Sequence, residues 1–262
     1  MQTAILTRPA DRNEVLAQRL RDAAWQVCIL PALTIEPLPP RAGYLPLPRE
    51  FDLVVFVSGN AVRFYREQVL RTAISSAWPA TTLAAAVGMG TAQALRNAGW
   101  LDAHATILHP DAHSPRHDSE ALWELLQRQA VRPRKVLLVR GTTGRDWLAD
   151  KLVEQGAEVV RHAVYRRSPA CWAPQQLDQL QAWATQGLQP VWLLTSGEGM
   201  QAIETALNAA GLAQWWAGGY FVVTHPSLVG QLPVQATRAT STSRVKICLP
   251  NDDAIFNAFL TD

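Results

Sequence analysis

Tyr165 stands in the run HAVYRRSP, with Arg161, Arg166 and Arg167 close by. A phenol keeps its proton at neutral pH, so a tyrosine held at the end of a structural element can act as a general acid, and neighbouring arginines would favour an anionic reactant. The plain structural reading is a ring in the core with its hydroxyl at a wet rim. A second chemistry is offered by short hydroxyl and glycine clusters: Thr7-Arg8, Ser58-Gly59-Asn60, Gly88 to Thr91, Arg140-Gly141, Ser196-Gly197 and Thr224 to Ser227. Small residues leave backbone N–H groups open to carboxylates, above all where a helix begins. Each cluster also has a bland meaning. Ser58, Thr91, Ser196 and Ser227 can be N-caps, and the glycines can be ordinary turn residues. Recurrence of the clusters in both halves of the chain favours the functional meaning.

Other chemistries are disfavoured. No GxGxxG or GxxxxGK[ST] run occurs, which argues against a nucleotide cofactor. His104, His109, His113 and His117 resemble a metal ladder, but Pro110 and Pro115 break any helix that would align them, so a solvated loop and no metal are expected. His162 and His225 stand apart, and no nucleophile with a partnered base can be assigned. Cys28, Cys171 and Cys248 are odd in number and widely spaced, which suits reduced thiols rather than a disulfide framework or a zinc ribbon. A net charge of +2 over 262 residues gives no general nucleic-acid-binding face. With neither a leader-like start nor about 18 consecutive apolar residues, no membrane span is expected and a cytoplasmic location is.

The elements that must position these residues follow from apolar periodicity. From Lys135 to Pro169, an apolar run Val136 to Val139 reads as a strand covered on both faces. Glycines Gly141 and Gly144 punctuate it, and a helix opened by Asp146 carries Leu148, Leu152 and Val153. Gly156 suits a left-handed helix end, and Glu158 begins a strand leading to Tyr165, completing a βαβ unit. Thr3 to Leu33 lays onto this unit at constant offset, pairing Arg8 with Arg140, Leu16 with Leu148, Leu20 with Leu152 and Val27 with Val159. FDLVVFVSGNAV likewise resembles QPVWLLTSGEGM, and LAAAVGMGTAQAL resembles YFVVTHPSLVGQL. The period is too long for a solenoid and indicates two similar α/β halves with mostly parallel sheets. Prolines crowd the segment from Pro31 to Pro48 and recur at Pro169 and Pro174, marking crossings. A discontinuous domain of 1–37 with 168–262 and a continuous one of 38–167 are the expected arrangement. In such sheets ligands bind beyond the carboxyl ends of the strands, where every hydroxyl and glycine cluster falls.

These motifs, with DSEALWELL and the closing NDDAIFNAFL, resemble those of the bacterial uroporphyrinogen-III synthase family, in order over the whole chain. The resemblance implies two flavodoxin-like domains joined by a two-stranded connection, with a cleft between them. It implies a cofactor-independent lyase of haem biosynthesis that acts on the small molecule hydroxymethylbilane. The linear tetrapyrrole loses water and closes with ring D inverted, through a spiro intermediate. It further implies that Tyr165 assists departure of the hydroxyl, and that Thr7, Arg8, Ser58, Asn60, Thr91, Arg140, Gly141, Ser196, Gly197 and Ser227 meet substrate carboxylates. A monomer without nucleic-acid or membrane partners is expected. The second half departs from the family's GPTTA-like pattern with Thr224-His225-Pro226-Ser227-Leu228, which weakens the case for Ser227. A non-catalytic two-domain binder of a small polycarboxylate is the alternative. A glycosyltransferase is disfavoured by the missing nucleotide and acidic metal motifs.

Overall fold

The computed structural model describes residues 2–40, 44–72, 77–101, 105–110, 118–233 and 244–261. It divides into two compact units, one of residues 1–35 with 168–262 and one of 36–167.

The first unit contains β1 (Thr3–Leu6), α1 (Glu14–Asp22), β2 (Gln26–Ile29), α6 (Pro174–Thr185), β9 (Val191–Leu194), α7 (Gly197–Ala209), α8 (Ala213–Ala217), β10 (Tyr220–Val223), β11 (Val245–Ile247) and α9 (Asp252–Leu260). Its sheet has the order β11-β10-β9-β1-β2, and each described register in it is parallel. Numbered within the unit this is the flavodoxin-like order 2-1-3-4-5, whose direction reverses between β1 and β9. Successive residues of each strand point to opposite faces. Ile5, Trp192, Leu194, Phe221 and Val223 enter one apolar layer, while Ala4, Leu6, Leu193 and Val222 enter the other. That is why these strands are apolar throughout instead of alternating. Trp192, Trp216 and Phe221 meet edge-on in the first layer, with centroids 4.8 Å apart for each contact with Trp216.

The second unit holds β4 (Leu53–Phe56), α2 (Gly59–Leu70), β5 (Leu83–Ala86), α3 (Met89–Asn97), β6 (Ile107–Leu108), α4 (Ser119–Arg128), β7 (Lys135–Gly141), α5 (Trp147–Glu154) and most of β8 (Glu158–Pro169). Its sheet order is β3-β8-β7-β4-β5-β6, where β3 (Leu33–Pro37) carries the chain out of the first unit. Setting β3 aside, β8-β7-β4-β5-β6 is the same 2-1-3-4-5 order in circularly permuted form, and its reversal lies between β7 and β4.

The repeat extends to strand register: Thr3 pairs with Gln26 in the first copy and Lys135 with Glu158 at the matching place in the second. Leu16, Ala17 and Leu20 form the buried face of α1, as Leu148, Ala149 and Leu152 do on α5. The helix of the second copy closes at Gly156 with φ +89°, and the first copy places Ala24 there with φ +63°. An L-residue with a Cβ pays about 1 kcal/mol or more for that conformation, so the first copy's helix end is the more strained. The expected strand end at Tyr165 is extended: β8 runs on as a 12-residue strand.

The proline-rich segment after β3 is tied down by α2. Tyr65 Oη donates to Pro46 O at 2.6 Å, and Gln68 Nε2 donates to Leu38 O at 2.6 Å. This leaves Gln68 Oε1 to accept from His162 Nε2 at 2.7 Å, which assigns the neutral ring its proton. Burial lowers the His162 pKa to about 4 from an ordinary 6.5. The unfolded chain therefore binds the proton first, so the stability carried by the neutral ring is complete above pH 6.5 and is lost as pH falls toward 4. The full loss amounts to at most about 3 kcal/mol. Urea midpoints measured across this window should fall less steeply for His162→Leu than for the natural chain, although the variant starts less stable because Gln68 Oε1 loses its donor. Equal slopes would assign the acid sensitivity to other groups.

Candidate active site

In each sheet the hydroxyl and glycine clusters stand at the carboxyl edge, and several flank the reversal point where a crevice is expected. In the second unit the reversal brings together the ends of β4 and β7. Ser58 ends the turn after β4 as the N-cap of α2, its Oγ accepting from Ala61 N at 3.1 Å. The same hydroxyl lies 3.1 Å from Tyr165 Oη. Asn60 is half-buried in the first turn of α2.

Tyr165 reaches Ser58 because β8 breaks register with β7. Arg140 pairs with Ala163, but the next residue, Gly141, pairs with Tyr165, so Val164 is an extra residue in the ladder. A bulge of this kind turns the following side chain to a new direction. The Tyr165 ring then crosses Gly141: a Cβ on Gly141 would lie 2.8 and 2.9 Å from ring atoms, closer than real Cβ contacts come. Thr142 N–H donates to Tyr165 O at 3.0 Å, and Phe64 packs beside the ring at a centroid distance of 6.0 Å. The residue itself is only 5% exposed.

Arg140 is buried and folds along the loop that follows it. Its Nε donates to Gly141 O at 3.2 Å, Nη2 to Gly144 O at 2.8 Å, and Nη1 pairs with Asp146. The Arg140 guanidinium, first through its hydrogen bond and then through its charge, holds the exposed Asp146 carboxyl below the usual carboxylate range. The arginines around Tyr165 also have partners: Arg161 meets Asp146 and Asp150, Arg166 meets Glu36 at 2.5 Å, and Arg167 meets Thr143 at 3.3 Å. Thr91 is buried in the first turn of α3, where Gly88 and not Thr91 occupies the cap position.

In the first unit, Thr7 and Ser196 flank the reversal between β1 and β9. With Pro9, Thr195 and Gly199 they line a small depression. The Thr7 hydroxyl donates to Leu193 O, bridging the two strands, and Ser196 caps α7 by accepting from Gly199 N at 3.1 Å. Arg8 turns inward, to Asp252 at 2.6 Å and Asn13 at 3.5 Å, and its Nη2 is buried without a partner. Gly197 faces the Gln231 amide. His225, not Ser227, caps the short helix Pro226–Gln231: its Nδ1 accepts from Ser227 N at 3.1 Å and lies 2.7 Å from Ser227 Oγ. Of the histidine ladder, His109 contacts Arg96 at 3.0 Å and Pro110 O at 2.7 Å, while His104, His113 and His117 lie outside the described residues.

A family model described as uroporphyrinogen-III synthase HemD matches residues 14–232. The chain belongs to the uroporphyrinogen-III synthase family. A synthase of that name from Salmonella typhimurium is 31% identical over 202 residues, covering 76% of this chain and 77% of its own. One from Escherichia coli is 26% identical over 258 residues, covering 97% and 98%. Among solved structures, a mutant uroporphyrinogen III synthase from Thermus thermophilus superposes with a TM-score of 0.59 at 16% identity, covering 99% of this chain and 97% of that one. A uroporphyrinogen-III synthetase from Helicobacter pylori gives 0.57 at 15% identity, covering 99% of each chain. At such identities the structures attest the fold alone, a two-domain α/β architecture with mostly parallel sheets.

For this family member, the residues that sequence reasoning missed are Val164, Phe64 and Asp146 in its bonding role. Only Asp146 left a signal, as an acidic residue at a helix start. The two site glycines differ in what surrounds them. Gly141→Ala drives a methyl into a buried ring, so the expected outcome is a displaced Tyr165 ring signal in NMR and a loss of about 1–3 kcal/mol in unfolding free energy. Gly197→Ala meets only the movable end of Gln231 and should stay within about 0.5 kcal/mol. A Gly141→Ala protein as stable as the natural chain, with an unmoved ring, would contradict this packing.

Proposed function

We propose that this chain converts hydroxymethylbilane to uroporphyrinogen III, with loss of water and inversion of ring D, and that Tyr165 is the general acid. The observation that carries the catalytic assignment is the Tyr165 phenol held 3.1 Å from Ser58 Oγ at the carboxyl edge of its sheet. Ser58 Oγ already accepts the Ala61 N–H. Its own proton is then best used toward Tyr165 Oη, which leaves the phenol proton for the substrate and supports the oxygen as negative charge develops there. In the reaction the C–O bond of the hydroxymethyl group breaks as the phenol proton joins the departing oxygen, and water leaves. The electrons of ring A close the gap as an azafulvene. The substituted carbon of ring D attacks this electrophile to form the spiro intermediate. The older bond from that carbon to the methylene bridge of ring C then breaks, leaving a second azafulvene on ring C, and the unsubstituted carbon of ring D closes on it, which inverts the ring. The proton released when the final pyrrole regains aromaticity restores the phenol.

The free bilane closes at its unsubstituted end, so the protein's task is to hold rings A and D for the other attack. Positioning of that kind is worth at most about 7–11 kcal/mol. Carboxylates on the substrate suit Asn60, the Thr91 hydroxyl, and the Ser58 and Gly141 backbone in the 36–167 unit, and Ser196, Gly197 and Ser227 are the candidates of the same kind when the other unit is taken by itself. Thr7 and Arg8 are largely turned to protein partners and shape the strand end, and the Arg8 Nη2 without a partner is what Arg8 would offer a carboxylate. A monomer in the cytoplasm, without a cofactor or nucleic-acid partner, is the arrangement that goes with this reading. The nearly balanced charge speaks against a nucleic-acid partner. No helix among the described residues is long and apolar enough to cross a membrane. Family membership favours an enzyme over a passive polycarboxylate binder.

Purified protein given freshly generated hydroxymethylbilane should yield isomer III above the spontaneous isomer I after oxidation and chromatographic separation. Tyr165→Phe should slow turnover by about 10²–10⁴-fold, the usual worth of a positioned general acid. Full turnover with an unchanged isomer ratio in that variant would remove the acid role, and isomer I alone from folded natural protein would remove the synthase reading.

A further inference from the structure

We propose that Arg140 and Asp146 are positioning residues: together they clamp the loop after β7 so that the Gly141 backbone holds the Tyr165 ring on Ser58, and neither receives a substrate carboxylate. The inference rests on the reading of Tyr165 as the acid and reassigns Arg140 within it.

The guanidinium of Arg140 is 8% exposed as a residue and sends its three nitrogens to three places on one loop, Gly141 O, Gly144 O and the Asp146 carboxylate. Three of the five guanidinium N–H groups are thus spent on the loop, and burial of the residue keeps an incoming carboxylate from the two that remain. The loop is wrapped around it: a Cβ on Gly144, where φ is +141°, would lie 3.1 Å from Nη2. Asp146 supplies the second observation. It occupies the N-cap position of α5, yet its side chain makes no capping bond to that helix. Its carboxylate turns back to Arg140 and also meets Arg161 Nε at 3.4 Å, while Arg161 is tied in turn to Asp150 at 3.0 Å. An aspartate that forgoes the common cap for an arginine six residues upstream fixes the path of the intervening loop. The near end of that path is Gly141, whose carbonyl is held by Arg140 Nε and whose Cα lies beneath the Tyr165 ring.

The test begins with Asp146→Asn in the full chain, a mild change because this side chain is 52% exposed. The expected result is kcat lower by about tenfold with KM within about twofold, the pattern of a misplaced acid and not of a lost binding contact. The Tyr165 ring signal, one of only four tyrosines, should shift as well. Arg140→Lys should follow the same pattern, since a single ammonium cannot reach three divergent acceptors. Asp146→Glu, which keeps the charge, should recover part of kcat. A lower KM in Asp146→Asn, or a raised KM with kcat kept in Arg140→Lys, would make Arg140 a substrate receptor and overturn the clamp. Unchanged kcat, KM and ring signal in Asp146→Asn would overturn it too. If Tyr165→Phe proves fully active, the acid reading falls, and the clamp is then decided by the ring signal alone: a shift in Asp146→Asn upholds it and no shift overturns it.

Discussion

The approach of the Tyr165 ring to the Cα of Gly141 constrains everything around the candidate site. A ring can lie that close only over a residue without a Cβ, and only if the strand bearing it slips register by one residue, as β8 does at Val164. Without the slip the side-chain alternation of β8 would place Val164 opposite Gly141 and turn the phenol to the other face. The loop after β7, the cap of α2 and the bulge in β8 are therefore one arrangement. Ser58 serves it twice, ordering the first turn of α2 and presenting its hydroxyl to Tyr165.

The repeat in the chain and the compact units do not coincide. In sequence, a βαβ segment and a βαβαβ segment alternate twice. In space, the N-terminal βαβ joins the later βαβαβ strands, and the second βαβ joins the earlier ones. Each unit thus contains one copy of each segment from opposite halves, and each regains the same strand order. The register shared by the β1–β2 and β7–β8 pairs is what a duplicated segment requires, since a shift of one residue would send every side chain of a strand to the other face and into the wrong apolar layer.

Local signals carried much of this. Apolar runs bounded by glycine gave the strands, the Leu16/Leu20 and Leu148/Leu152 faces gave the helices, and Ser58 and Ser196 cap as their positions suggested. Thr91 and Ser227 do not, because the cap is the last extended residue before the first turn, and here that residue is Gly88 or His225. The extra residue at Val164 is invisible to apolar patterning, since a valine suits a strand in or out of register. The directions of Thr7, Arg8 and Arg140 depend on partners at Leu193, Asp252 and Asp146, and only the folded chain states which of these is near.

The bridge from Thr7 to Leu193 spans 186 residues. A ribosome delivering this chain therefore releases β1, α1 and β2 long before their neighbour β9 exists, and in that interval Ile5, Leu16, Leu20 and Leu30 lack the later strands and helices that complete their apolar layers. The 36–167 unit is complete as soon as its last strand emerges, so vectorial synthesis favours it as the earlier folding body. The N-terminal segment waits without β9 through that period, and a chaperone that shields apolar nascent chain has its clearest target there.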